Sequence, residues 1–147
     1  MSWSEEDIEL VPLRWLKAHE EVKVRNRDNL LEMTKRWGGS TKPLIVDRNT
    51  GAILDGHHRH SIAIMLKLKR VPAICVDYID DSSITLDVWP GCGLDSLTKQ
   101  DVIDMALSDS VYPPKTSRHA MADDTPPIFV PLEVLMVHPS LSGPDET

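Results

Sequence analysis

Residues 43–66, PLIVDRNTGAILDGHHRHSIAIML, leave the chain few ways to fold. Two short apolar runs, PLIV before Asp47 and AIL before Asp55, flank RNTG. Asn49 and Gly51 suit a tight turn that demands positive φ, so the stretch reads as a β-hairpin. At Gly56 the period changes. Ile62, Ala63, Ile64, Met65 and Leu66 give a helix an almost wholly apolar surface up to the basic KLKR, and that helix is expected to be deeply buried.

Other elements fall on either side. Residues 8–16, IELVPLRWL, open with alternating apolar residues and read as a strand running into a turn; residues 27–37, RDNLLEMTKRW, have helical composition and stop at Gly38 and Gly39. Residues 71–79 and 84–89 read as strands. TKQDVIDMALS sets Thr98 and Asp101 at capping-box spacing ahead of a helix. After Leu107 the chain becomes Pro-rich and reads as loop or linker, and residues 128–136, IFVPLEVLM, form the last candidate strand. This order predicts a mixed α/β (α+β) fold in a single domain over residues 1–137, with a disordered polar tail over 138–147.

A chain of 147 residues can bury a core without metal or disulfide staples. Its 16 basic and 23 acidic residues, net −7, argue against broad binding to nucleic acid or anionic membrane, which needs a positive footprint. Cys75 and Cys92 are its only cysteines, MSWSEEDIEL lacks the features of a signal peptide, and no apolar run approaches the roughly 20 residues of a membrane helix. A reducing, cytoplasmic setting is the expectation.

Asp55 to His60 concentrate an acid, a glycine, three histidines and an arginine. Asp55 ends a strand and Gly56 lets the backbone turn, so the next residues occupy the first helical turn, where unpaired N–H groups point outward. Cationic side chains there oppose the helix dipole, which is tolerable if an anion such as phosphate sits at the turn. A lone Asp-Gly before a helix is ordinarily an N-cap, but the cluster favours function. Structural zinc is disfavoured, because adjacent His57 and His58 do not readily face one ion and no C-x₂-C or H-x₃-H spacing is present. Elsewhere, KAHEEVK places Glu20 and Glu21 near the first helix, as dipole-compensating acids or as a positioned carboxylate. Lys115, Thr116, Arg118 and His119 form a dense set of donors for phosphate or carboxylate.

Strand, ILDGHHR, apolar helix and VPAICVDY, in that order, resemble the ParB/sulfiredoxin superfamily, whose glycine and arginine at this turn cradle nucleotide phosphates. HEEV early, DGHHR in the middle and PPKTSRH late, with Val88-Trp89 and a closing VPLEVL, narrow the resemblance to the free serine kinases over residues 8–135. Sulfiredoxins carry a catalytic cysteine where His57 stands, so sulfinic acid repair is not expected. ParB-type proteins have G-E-R-R at the turn, and their DNA-binding role needs basic surface that this acidic chain lacks.

The resemblance implies phosphoryl transfer from ATP or ADP, with Mg²⁺, to the hydroxyl of free L-serine, forming O-phospho-L-serine. It implies Glu20 as general base, with Glu21 the alternate, and Asp55 orienting the hydroxyl or holding Mg²⁺ through water. Gly56, His57, His58 and Arg59 would hold the nucleotide phosphates. Lys115, Thr116, Arg118 and His119 would bind the serine carboxylate or the phosphoryl group, beside Trp89 as a pocket wall; Ser117 stands where the family more often has threonine. Thr41, with Lys42 and Pro43, would approach the nucleotide. Nucleotide and L-serine are thus the expected partners, with no nucleic acid and no membrane. A non-catalytic nucleotide-binding module and a kinase of another small hydroxylated metabolite are the alternatives, since residue chemistry alone does not choose the acceptor.

Overall fold

A computed structural model describes residues 3–121 and 124–138, so the tail expected beyond His138 lies outside the described residues. In chain order the elements are β1 (Ile8–Pro12), α1 (Val24–Trp37), β2 (Gly39–Ser40), β3 (Leu44–Asp47), β4 (Ile53–Asp55), α2 (His57–Met65), β5 (Arg70–Val76), β6 (Thr85–Val88), α3 (Lys99–Leu107), β7 (Ser117–Ala120), β8 (Val130–Pro131) and α4 (Leu132–Leu135).

The main sheet has the order β1-β5-β3-β4. β3 runs parallel to β5, Leu44 facing Ala73 and Val46 facing Cys75, whereas β1 and β4 pair antiparallel at the two edges. Alternate side chains of the central strands enter two cores. Leu44, Val46, Val71 and Ala73 pack with Ala63 of α2 and Leu135 of α4; Ile45, Ile74 and Val76 pack with Val102, Ile103 and Ala106 of α3. Burial on both faces explains why β3 is a continuous apolar run rather than an alternating one.

The hairpin forms as expected, with a different turn. Gly51 takes φ of 80°, but Asn49 does not, and the loop closes by a hydrogen bond from the Gly51 N–H to the Asp47 carbonyl at 2.9 Å. The buried Asp47 carboxylate accepts from the Thr50 hydroxyl at 2.7 Å and from the Tyr78 N–H at 3.2 Å. Thus the acid closing the first apolar run ties the turn to the end of β5.

Four sequence expectations need correction. First, α2 is not deeply buried: Ile62 and Ala63 face the sheet, while Ile64 and Met65 are about half exposed, because a nine-residue helix on a sheet buries one stripe whatever its composition. Second, residues 128–136 contribute only the two-residue β8, which pairs with β2, and then the short helix α4, for which Pro131 is the N-cap. Third, the Pro-rich region contains a strand: β7 pairs antiparallel with β6, Leu86 facing His119. Fourth, α1 starts three residues before Arg27, at Val24, with no capping side chain to mark the place. The capping box of Thr98 and Asp101 forms as read.

Gly56, the residue between β4 and α2, adopts φ of 114°, and a Cβ there would lie 2.7 Å from Leu44 Cγ. Strain and overpacking each cost about 1–3 kcal/mol. Gly56→Ala is expected to lower unfolding stability by at least about 1 kcal/mol in urea titration; an unchanged midpoint would show that the turn accepts a side chain.

Candidate active site

The segment between β1 and α1 carries Glu20, which forms an isolated parallel bridge with Tyr112. Glu20 Oε1 accepts from the backbone N–H groups of Thr116 (3.1 Å) and Ser117 (2.8 Å) and from the Ser117 hydroxyl (3.0 Å). With Oε1 committed to three donors, Oε2 makes no hydrogen bond among the described residues. Glu21 has its backbone N–H on the Tyr112 carbonyl at 2.8 Å, and its side chain makes no hydrogen bond among the described residues.

Facing this segment is the first turn of α2. The His57 Nε2 accepts from the His19 N–H at 3.1 Å and the His58 Nε2 from the Lys23 N–H at 3.2 Å. A ring nitrogen that accepts carries no proton, so both imidazoles are neutral with hydrogen on Nδ1. Neither ring therefore brings positive charge to the turn. Burial first, and the surrounding histidines next, hold His57 well below the ordinary histidine range; burial also lowers His58, against the pull of Glu20. Positive charge at the turn therefore rests on Arg59, lowered by burial and raised by Asp55 yet still charged as guanidinium.

β7 supplies the opposite wall. The Arg118 guanidinium meets Asp87 at 3.2 Å and lies 5.2 Å from the Trp89 ring centre; the Lys115 ammonium lies 5.4 Å from the same ring. The His119 Nε2 is 2.8 Å from the Tyr78 hydroxyl. Burial raises the Tyr78 phenol well above its usual range and lowers His119, so the two groups meet as neutral partners, and the His119 tautomer sets which of them donates.

These walls enclose a cleft of about 410 Å³, lined by Glu20, Glu21, Asp55, Gly56, His57, His58, Arg59, Trp89, Arg118 and His119 together with Leu30, Leu54, Ser117 and Met121. Of the residues assigned to the site from sequence, Thr41, Lys42, Pro43, Lys115 and Thr116 do not line it. Thr116 is buried and its hydroxyl donates to the Pro113 carbonyl at 2.7 Å, so its contribution is the backbone N–H given to Glu20. Asp55 is exposed at the cleft edge, 3.9 Å from the Lys42 ammonium. Sequence reasoning missed Ser117 as a site residue and gave no role to His19 or Tyr78. The serine lay inside PPKTSRH, but its contact with a residue 97 positions away had no local signal.

Beneath the cleft is a cluster of rings. His19 is fully buried, 4.5 Å from His57 and 5.9 Å from His119 between ring centres. Its Nε2 is 2.9 Å from the Ser117 hydroxyl, which completes a chain from His19 through Ser117 to Glu20. Since that hydroxyl gives its proton to the carboxylate, the His19 Nε2–H is the donor and Nδ1 is left bare and buried. Burial lowers His19 to about 4, the Ile53 backbone pulling the other way without completing a hydrogen bond to Nδ1. His119 is lowered to about 3 by burial, then by His19 and Lys99.

The chain has the fold of solved free serine kinases: one in complex with AMP is 19% identical, with 88% of this chain and 93% of that one covered at a TM-score of 0.76. A variant with one glutamate replaced by alanine, in complex with ADP, gives 18%, 92%, 96% and 0.78 for the same quantities. SbnI with a C-terminal truncation, from Staphylococcus aureus, shares the fold at 11% identity, 92% of both chains and a TM-score of 0.78. In sequence, the chain is 38% identical over 71 residues to a ParB-like protein of Sulfolobus acidocaldarius, covering 48% of this chain and 35% of that protein. It is 32% identical over 94 residues to an ATP-dependent L-serine kinase of Staphylothermus marinus, covering 61% and 37%. The chain thus spans little more than a third of the length of these curated relatives. No protein-family model matches it. Among the described residues, no helix is long and apolar enough to cross a membrane.

The neutral rings make a pH prediction. Unfolded histidine takes a proton below about 6.5, whereas His19 and His119 resist it until about 4 and about 3. Their contribution to stability is whole above pH 6.5 and is lost progressively as pH falls toward those values. Denaturant titrations between about pH 6.5 and 5, above the carboxylate range, should show stability falling by on the order of 1 kcal/mol per pH unit for each of the two rings. A flat profile in that window contradicts buried neutral rings.

Proposed function

We propose that this chain transfers the terminal phosphoryl group of ATP or ADP to the hydroxyl of free L-serine, forming O-phospho-L-serine. The observation that carries the reading is the meeting, in one cleft, of an oriented carboxylate on Glu20 with the phosphate-type turn at Gly56 to Arg59. Support comes from the shared fold with free serine kinases bound to AMP and ADP, and from the sequence relative named as an ATP-dependent L-serine kinase.

In this reading the nucleotide phosphates lie at the N-terminus of α2, where the first-turn N–H groups and Arg59 offset their charge. Gly56 keeps the approach open. Serine lies between Glu20 and the β7 wall, its carboxylate on Arg118, which Trp89 and Asp87 hold in place. Glu20 Oε2 takes the hydroxyl proton as the serine oxygen forms its bond to phosphorus, and the bond from phosphorus to the leaving ADP or AMP oxygen breaks. Positioning and charge do most of the work, as phosphoryl transfer requires.

Mg²⁺ fits this site in a limited way. No group of three or more His, Cys, Asp or Glu side chains capable of holding a metal occurs among the described residues, so the ion would ride on phosphate oxygens, with Asp55 the carboxylate to reach it through water. When bound, it would neutralise phosphate charge.

Purified protein given Mg²⁺, L-serine and either ATP or ADP should yield O-phosphoserine; no product with either nucleotide overturns the reading. Glu20→Gln and Asp55→Asn should each cut turnover by at least about 10²-fold with the fold retained. Glu21→Gln should stay within a few-fold of the parent; the opposite ranking of the two glutamates would reassign the base.

A further inference from the structure

The histidines of the DGHHR turn face the cleft, yet their observed bonds run to the chain that carries Glu20. That chain, residues 19–23, belongs to no helix or long strand, so its backbone N–H groups need partners from elsewhere. On one side, the Glu21 N–H donates to the Tyr112 carbonyl and the Tyr112 N–H to the His19 carbonyl, both at 2.8 Å. On the other, the His19 and Lys23 N–H groups are taken by His57 and His58. The two imidazole bonds bracket Glu20 from before and after. They also attach it to the helix turn at which the nucleotide phosphates are placed.

We infer that His58, together with His57, is a positioning residue, whose Nε2 acceptance of a backbone N–H fixes residues 19–23, and so Glu20, against the phosphate turn. The inference rests on the kinase reading for its catalytic meaning, but the hydrogen bonds exist whatever the reaction. Separating it from a phosphate-binding role is possible because the two jobs use different atoms. Positioning uses the bare Nε2 as acceptor; a phosphate ligand would use the protonated Nδ1 as donor. His58 is the better one to test, because His57 lies in the ring cluster and its loss disturbs more than one contact.

Two amide side chains divide the imidazole. Glutamine brings an acceptor to about the position of Nε2, and asparagine brings a donor to about the position of Nδ1. His58→Gln should keep kcat within about three-fold. His58→Asn should lower kcat on the order of 10²-fold, as for an ångström-scale misplacement of a catalytic group, with the nucleotide KM little changed. The reverse ranking, or a loss confined to the nucleotide KM, overturns the inference. Amide hydrogen exchange at Lys23 gives a readout free of the activity. It should accelerate in His58→Asn, remain near the parent rate in His58→Gln, and leave β5 unaffected in both. If the parent proves to have no serine kinase activity, this exchange pattern decides alone: acceleration restricted to His58→Asn sustains the positioning role, and equal rates in all three proteins overturn it.

Discussion

The contact between Glu20 and the start of β7 is the constraint on which the site depends. One carboxylate oxygen gathers two backbone N–H groups and a hydroxyl from residues nearly a hundred positions later in the chain. Hydrogen bonds to a charged group contribute about 1.5–3 kcal/mol each, which is large against the marginal stability of a small domain. The same bonds decide the chemistry. They occupy Oε1, direct attention to Oε2, and draw the wall bearing Trp89, Arg118 and His119 up to the turn at Gly56. Without them β7 would be held by its exposed pairing with β6 and by the His19–Ser117 and His119–Tyr78 contacts alone.

The ring cluster below the cleft follows from that constraint. His19 precedes Glu20 in sequence, so placing the carboxylate on β7 drives the neighbouring imidazole into the interior, where it meets His57 and His119. Burial keeps all three neutral, so a ring nitrogen is free to accept: His57 Nε2 takes the His19 N–H, while His19 Nε2 meets Ser117 and leaves its Nδ1 without a partner. What looks in sequence like a concentration of positive charge is a hydrogen-bonding scaffold. Positive charge lining the cleft is confined to Arg59, Arg118 and the helix N-terminus, a smaller set than the motif advertises.

Much of the frame was legible because it is written locally. The hairpin, the sharp entry into α2 and the capped start of α3 each depend on residues a few positions apart: Asp47 with Gly51, Asp55 with Gly56, Thr98 with Asp101. Strand β7 was not legible, since SRHA has no apolar alternation and pairs through its backbone with an equally exposed partner. Helix α4 was hidden by an apolar run that reads equally well as strand. At the site, residue types were read more successfully than atoms. Sequence drew Glu20, Asp55 and the DGHHR turn toward one cleft by family resemblance, and they do line it together. Which nitrogen of His58 faces which group, and that Thr116 serves through its backbone, are tertiary facts without local trace.

All of this converges on one geometric claim: a serine hydroxyl lies between Glu20 Oε2 and a terminal phosphate seated on the first turn of α2. A crystal structure with ADP and L-serine bound tests it most directly. The account predicts the hydroxyl within hydrogen-bonding reach of Oε2, about 3 Å, and the nucleotide phosphates on the N–H groups following Gly56. Serine bound away from Glu20, or phosphates seated elsewhere than this turn, would contradict it.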